Sequence, residues 1–196
     1  MKTLIIRNLH GDENPPREFS GIPAIIGNPE AMRKNVRFID SDLNRSFGKR
    51  NKNAKGYEKR RAQELTKLMK DFDVVIDIHR TTAPFAKFTA IITKPEHYKY
   101  TLPFHPEYVV VMRHAKYSLI GNAKVGISLE YPTHVRSTSN EKPIMMEALD
   151  FVEAKKGYRD FKPIVDKCPS SNQTSFPFLV GEKAYNGKCF LCKIIQ

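Results

Sequence analysis

The sequence predicts an α/β protein with a mixed, largely parallel sheet flanked by helices and a small C-terminal β appendage. Two observations support this class. Along residues 1–156, short apolar runs typical of buried strands alternate with segments of helical period. Such interleaving indicates a sheet with helices on both sides. From residue 157 the chain changes to short β runs interrupted by Pro and Ser. We therefore expect a main domain over 1–156 and a small C-terminal β domain over 157–196.

The individual elements follow from local patterns of apolar residues. An Asn-Pro pair at 28–29 predicts a helical turn over 28–34. Apolar side chains near a helical period predict helices over 57–71 and over 140–155, the latter with Met145, Leu149 and Val152 along one face. The predicted strands of the main domain cover residues 2–8, 22–27, 36–39, 73–79, 87–93, 108–112 and 123–130. Those of the appendage cover residues 159–165, 176–180 and 188–195.

Length and composition point to an intracellular protein with one substantial core. A chain of 196 residues suits one domain with a small appendage. It contains no apolar stretch of 18 residues, and its first residues run directly into a strand. Its three cysteines are few and odd in number, which suits a reducing compartment. We therefore expect a cytoplasmic protein that neither spans nor binds a membrane.

The formal charge of +12 is concentrated in the run at residues 48–61. Such a surface attracts nucleic acid or small anions, but it is also typical of a solvated loop and helix start. We favour the solvated surface. The alternative is a basic nucleic-acid-binding module, which predicts binding that weakens steeply with salt.

Potential metal ligands occur where three of the predicted strands end. His10 and Glu13 follow the first strand, His79 ends a second, and Glu130 ends a third. Ligands of open α/β sheets bind outside the carboxyl ends of the strands, so these side chains could face one crevice. Two imidazoles and one carboxylate can bind zinc, and the spare carboxylate could act as a general base.

Further polar residues lie next to these strand ends. Arg37, Asn44 and Arg45 supply two guanidinium groups and an amide, which are suited to gripping a carboxylate and stabilising an oxyanion. Asp77 lies two residues before His79, on the same face of the strand. It could orient the histidine from behind or cap a neighbouring loop, and the sequence does not separate these roles.

Taken together, these motifs resemble the aspartoacylase/succinylglutamate desuccinylase family. The resemblance is carried by the motifs at residues 10–13, 42–47 and 77–82, in that order, with Arg37 seven residues before Asn44. Residues 125–130 are similar to the family's general-base strand, and residues 184–185 to its C-terminal β domain. Members of this family are zinc amidohydrolases related to the zinc carboxypeptidases. The resemblance therefore implies a zinc carboxypeptidase-like fold, with residues 1–156 as the catalytic domain.

It also implies a catalytic role for five matched residues. His10, Glu13 and His79 would bind one zinc ion per chain. Glu130 would be the base that activates the attacking water and later delivers a proton to the leaving amine. Arg37 would polarise the scissile carbonyl.

The resemblance implies a small-molecule carboxylate as the substrate. Asn44 and Arg45 would hold its carboxylate, and Tyr185 would line its pocket. We expect a zinc-dependent deacylase that cleaves the amide bond of a small N-acyl amino acid. A zinc metallocarboxypeptidase that trims peptide C-termini is the alternative within the same class, because the same clamp can hold a C-terminal carboxylate. The sequence leaves open the acyl group, the amino acid and whether the chain forms a homo-oligomer.

Overall fold

A computed structural model describes residues 1–14, 21–48, 55–81, 87–132, 142–153, 175–179 and 188–195. The expected boundary between residues 156 and 157, the β run predicted at 159–165 and Tyr185 lie outside this set. The division into domains 1–156 and 157–196 therefore stays a prediction. The chain forms two compact units, residues 1–80 with 113–129 and residues 81–112 with 130–196.

The described residues form two α-helices, nine strands and several short 3-10 turns. The helices are α1 (Pro29–Lys34) and α2 (Gly56–Met69). The strands are β1 (Thr3–Arg7), β2 (Ile25–Ile26), β3 (Val74–Thr81), β4 (Thr89–Ile92), β5 (Tyr108–Val111), β6 (Val125–Pro132), β7 (Ile144–Glu153), β8 (Ser175–Phe178) and β9 (Lys188–Ile194).

The first unit is built around two parallel strands, β1 and β3. Its strand order is β2-β1-β3-β6, and β1 is parallel to both β2 and β3. Nearly every residue of β3 is buried, as expected for a strand covered on both faces. In the register between β1 and β3, Arg7 lies opposite Ile78. The segments that follow the two strands therefore leave the sheet at the same edge, which brings His10 and His79 together.

The second unit combines parallel strands with the antiparallel C-terminal strands. Its strand order is β4-β5-β7-β9-β8. The pairs β4/β5 and β5/β7 are parallel, whereas β9 pairs antiparallel with both β7 and β8. The register between β7 and β9 shifts between Ala148 and Asp150, which marks a β-bulge. The predicted class, a mixed and largely parallel sheet, is thus confirmed, and the C-terminal strands β8 and β9 belong to this sheet.

The helix predicted over residues 140–155 is wrong, because residues 144–153 form strand β7. Leu149, placed on the buried face of that helix, is 41% exposed, whereas Met146 and Ala148 are buried. Burial at every second residue is the strand period, and pairing with β5 and β9 overrides the weaker helical spacing.

The strand predicted over residues 36–39 is also wrong. Val36 and Phe38 are 39% and 43% exposed, and this segment is a series of bends. Among the described residues, its backbone groups do not form hydrogen bonds with a neighbouring strand. Instead, the carbonyl of Arg37 accepts from the Gly11 amide, and the Ile39 amide donates to the side chain of Glu58. A short β-branched run was too weak a signal against these distant partners.

Helix α2 confirms the helix predicted over residues 57–71. The buried side chains are Glu58, Ala62, Leu65 and Met69, spaced four, three and four residues apart. The carboxylate of Glu58 therefore lies on the buried, otherwise apolar face of the helix. No helix within the described ranges is long and apolar enough to cross a membrane.

Candidate metal centre

The turn after β1 places His10 and Glu13 side by side. Asn8 leaves the strand with a positive φ of 54°, and its side-chain amide donates to the carbonyl of Glu13 at 2.9 Å. The Glu13 amide in turn donates to the carbonyl of His10 at 3.2 Å. These bonds close the turn, so that Nδ1 of His10 lies 2.6 Å from Oε1 of Glu13.

Strand β3 supplies the second histidine of the cluster. Nδ1 of His79 lies 2.9 Å from Oε2 of Glu13, and the two imidazole rings have their centroids 5.0 Å apart. Each of His10, Glu13 and His79 offers a ligand atom within 4.8 Å of the others. Both histidines are buried, at 4% and 3% exposure. The structure thus brings together the three residues predicted as zinc ligands.

A carboxylate lies behind each imidazole. Nε2 of His10 is 3.1 Å from Oδ1 of Asp42, and Nε2 of His79 is 3.1 Å from Oδ2 of Asp77. Metal-binding histidines commonly donate their other ring nitrogen to a carboxylate, which fixes the tautomer and the ring orientation. Of the two roles left open for Asp77, its contact with His79 favours the orienting one.

These surroundings fit a zinc ion. Two Nδ1 atoms and one carboxylate match the ligand chemistry of catalytic zinc, which leaves a further position for water or substrate. Both Nδ1 atoms face the Glu13 oxygens, and both Nε2 atoms face carboxylates. The donor set and its supporting groups therefore suit one metal ion at His10, Glu13 and His79.

The charges of the cluster shift the pKa values of its members. Burial raises the pKa of Glu13, but His79 and His10 outweigh it and hold that pKa well below its usual value. Burial lowers the pKa of His10, but the Glu13 charge and the Asp42 hydrogen bond outweigh it and raise that pKa. For Asp42, burial is likewise outweighed, by His10, Arg45 and Arg37, and the pKa is lowered. A metal ion and a proton compete for His10, and the raised pKa favours the proton, so the affinity for the metal should fall as the pH is lowered.

The predicted carbonyl-polarising residue, Arg37, contacts the same cluster. Its Nη1 donates to Oε1 of Glu13 at 3.2 Å, and its Nη2 donates to Oδ2 of Asp42 at 3.4 Å. The same Nη2 lies 3.0 Å from Nε2 of His10. Arg37 therefore keeps a cationic, hydrogen-bond-donating group beside the metal ligands.

The two predicted clamp residues lie on a 3-10 turn, Leu43–Arg45, that begins after Asp42. The Asn44 side chain is anchored, since its Oδ1 accepts from the Leu119 amide at 3.0 Å and its Nδ2 lies 3.3 Å from Nε2 of His79. Arg45 is exposed, and its Nη1 donates to the carbonyl of Asn44 at 3.0 Å. Asn44 therefore lies against the His-Glu-His cluster, and Arg45 extends towards solvent.

Two predicted site residues remain. Glu130 is half-buried near the end of β6 and belongs to the second compact unit. Tyr185 is not among the described residues. Their predicted roles as general base and pocket residue stay proposals.

Sequence reasoning assigned no role to Asp42 or Glu58. Asp42 begins the motif at residues 42–47, but its contact with His10 joins residues 32 positions apart and was not predicted. Glu58 did have a usable signal. It is in phase with Ala62, Leu65 and Met69 on α2, so the helical period alone would have placed this carboxylate on the buried face.

Gly11, inside the metal-ligand turn, should not tolerate a side chain. A Cβ at this position would overlap the backbone of Ala31 and Met32, whereas one at Gly21 would meet nothing within 4 Å. We expect Gly11→Ala to lower the free energy of unfolding by at least about 1–3 kcal/mol, because backbone cannot move aside cheaply. Denaturant unfolding of Gly11→Ala beside Gly21→Ala tests this. Equal stability of the two variants would contradict the tight packing of the turn.

The fold and this cluster define the chain as an α/β protein with a candidate metal centre at the ends of two parallel strands. Residues 6–123 match the family model of the succinylglutamate desuccinylase/aspartoacylase catalytic domain. The chain belongs to this family, as its motifs indicated.

Two relatives and one solved structure show how far the similarity extends. The chain is 38% identical over 103 residues to a probable aspartoacylase of Prochlorococcus marinus (strain MIT 9515), covering 42% of this chain and 35% of that protein. It is 29% identical over 165 residues to the N-acyl-aromatic-L-amino acid amidohydrolase (carboxylate-forming) of Homo sapiens, covering 69% of this chain and 51% of that protein. The chain thus spans between a third and about half of the length of these curated relatives.

Structural comparison supports the same fold. The succinylglutamate desuccinylase of Chromobacterium violaceum superposes with a TM-score of 0.63 at 16% identity, covering 99% of this chain and 84% of that one. At such low identity the likeness concerns the fold alone. The zinc carboxypeptidase-like fold expected from the sequence is confirmed.

Proposed function

We propose that this protein is a zinc-dependent deacylase that hydrolyses the amide bond of a small N-acyl amino acid. The observation that carries the proposal is the buried cluster of His10, Glu13 and His79, whose ligand atoms lie within 4.8 Å of one another. Membership of a family whose relatives are named as deacylases and amidohydrolases supports the reaction type.

In this proposal the three cluster residues hold one zinc ion. A bound zinc ion supplies Lewis acidity, which polarises a carbonyl and lowers the pKa of a water ligand towards about 7. Asp42 and Asp77 keep the two imidazoles in the orientation that presents Nδ1, because each accepts from the opposite ring nitrogen.

Two groups of this chain act on the reacting atoms. Glu130 accepts a proton from the attacking water and then delivers it to the amide nitrogen, so that the C–N bond breaks and a free amine leaves. Arg37 donates to the carbonyl oxygen as negative charge develops on it. Its position beside Glu13 and Asp42 supports this assignment.

Substrate recognition rests on the turn that contains Asn44 and Arg45. A planar guanidinium can bind a carboxylate through two hydrogen bonds. The anchored side chain of Asn44 adds a donor next to His79. Tyr185 completes the pocket in this proposal.

The importance of the substrate carboxylate can be tested without changing the protein. A panel of N-acetyl and N-succinyl amino acids is assayed beside the corresponding α-methyl esters, which keep the amide but lose the charge. We expect kcat/KM for the esters to be lower by about 10- to 100-fold, since hydrogen bonds to charged groups are worth about 1.5–3 kcal/mol.

Two outcomes would contradict this proposal. Equal rates on acid and ester would show that the carboxylate is not held. Release of C-terminal residues from unblocked peptides, faster than hydrolysis of any N-acyl amino acid, would assign the site to a carboxypeptidase instead.

A further inference from the structure

Glu58 is an extensively hydrogen-bonded side chain that the proposed reaction does not use. It is fully buried in the first turn of α2, and its carboxylate accepts four hydrogen bonds. One comes from Nδ2 of Asn28 at 3.1 Å. The other three come from consecutive backbone amides of another segment: Ile39 at 2.7 Å, Asp40 at 2.9 Å and Ser41 at 3.2 Å.

These three amides lie in the middle of the segment that carries the predicted substrate contacts. We call residues 37–45 the clamp loop. Arg37 lies just before the bonded amides, and Asp42, Asn44 and Arg45 follow directly after them. The loop has no strand ladder, so one buried carboxylate satisfies backbone groups that would otherwise lack partners.

A second contact between loop and helix reinforces the first. The Asp40 carboxylate accepts from the Tyr57 amide at 2.7 Å, so loop and helix exchange hydrogen bonds in both directions. Gly56 makes this approach feasible, because a Cβ there would overlap the Asp40 carboxylate. The helix start is thereby fixed against the loop.

The other end of the network reaches the first strand. The Asn28 amide donates to the carbonyl of Asn8 at 2.9 Å, and the Asn28 side chain contacts Glu58. Asn8 also holds the Glu13 carbonyl at 2.9 Å. Through Asn28 and then Asn8, Glu58 therefore connects the clamp loop to the turn that carries the metal ligands.

We infer that Glu58 is a positioning residue, which holds the clamp loop by its backbone amides so that Arg37 and Asn44 face the His-Glu-His cluster. The hydrogen bonds between Glu58 and the clamp loop are observed in the structure. Their consequence for turnover rests on the proposed deacylase function. An ionised carboxylate can accept all four bonds. A glutamine cannot, because its amide nitrogen would face a backbone or Asn28 donor.

The test compares Glu58→Gln with Glu64→Gln, an identical change to the same helix. The Glu64 side chain is 62% exposed and serves as the matched control. In Glu58→Gln we expect amide hydrogen exchange in residues 38–45 to be at least about tenfold faster than in the control, with exchange in β3 unchanged. We also expect kcat/KM for an N-acyl amino acid to fall at least about tenfold, because the loop carries both the substrate clamp and Arg37.

A wild-type measurement keeps the inference testable if Glu58→Gln does not fold. In the wild type, the amides of Ile39 and Asp40 should exchange at least about tenfold more slowly than an unprotected peptide, although they lie outside helices and strands. Unprotected amides at both positions would overturn the inference.

The outcomes separate this inference from the proposed function. Equal loop exchange in Glu58→Gln and Glu64→Gln would overturn the role of Glu58, whatever the wild type hydrolyses. Faster loop exchange with an unchanged kcat/KM would overturn the positioning role as well. A wild type without turnover on N-acyl amino acids would overturn the deacylase proposal, and the exchange data alone would then decide whether Glu58 holds the loop.

Discussion

Replacement of His79 by alanine is expected to lower kcat/KM for amide hydrolysis by at least about 10³-fold. The variant removes one of the three residues proposed to bind the metal, and Lewis-acid stabilisation of the developing charge is worth several kcal/mol. Loss of the imidazole also deprives Glu13 of its 2.9 Å contact and Asp77 of its 3.1 Å contact. Steady-state kinetics on an N-acyl amino acid measure the effect.

His114→Ala is the matched control for this experiment. His114 is exposed and lies in the same compact unit. We expect it to keep wild-type kinetics. A His79→Ala variant that folds and retains more than about a tenth of the wild-type kcat/KM would contradict the assignment of His79 as a metal ligand.

Replacement of Glu130 by glutamine is expected to lower kcat by about 10²–10⁴-fold, the usual contribution of a general acid–base group. Unlike His79→Ala, this variant should keep its bound metal, because Glu130 is not among the ligands. Turnover and metal content measured on the same sample distinguish the two roles. The isosteric change removes the basic oxygen with little change in volume, so folding should be preserved.

Glu96→Gln provides the control for Glu130→Gln. Glu96 is an exposed glutamate in the 3-10 turn Pro95–Tyr100 of the second unit. It should leave kcat unchanged. A Glu130→Gln variant as active as Glu96→Gln would require a different general base.

The sequence predicted those parts of the structure that depend on neighbouring residues. Apolar runs located β1 and β3, and because parallel strands end at a common edge, they also located the meeting of His10 with His79. The apolar period over residues 57–71 was strong enough to predict helix α2, which runs from residue 56 to residue 69 in the structure. Local pattern and tertiary structure agree in these elements.

The errors arose where distant partners decide the structure. Residues 144–153 have apolar side chains at both helical and strand spacings, and only their pairing with β5 and β9 selects the strand. The bends at residues 36–39 depend on Gly11 and Glu58, which lie far away in sequence. No local propensity contains that information.

The most direct test of the metal centre is the zinc content of purified wild type beside Glu13→Gln, measured by elemental analysis after dialysis against zinc at neutral pH. Glu13 contacts both histidines, at 2.6 and 2.9 Å, whereas its exposed neighbour Asp12 supplies the control Asp12→Asn. We predict about one zinc per chain in the wild type and in Asp12→Asn, and at least about a tenfold lower zinc affinity in Glu13→Gln. A wild type that retains no zinc, or a Glu13→Gln variant that binds zinc as tightly as the wild type, would contradict the metal centre.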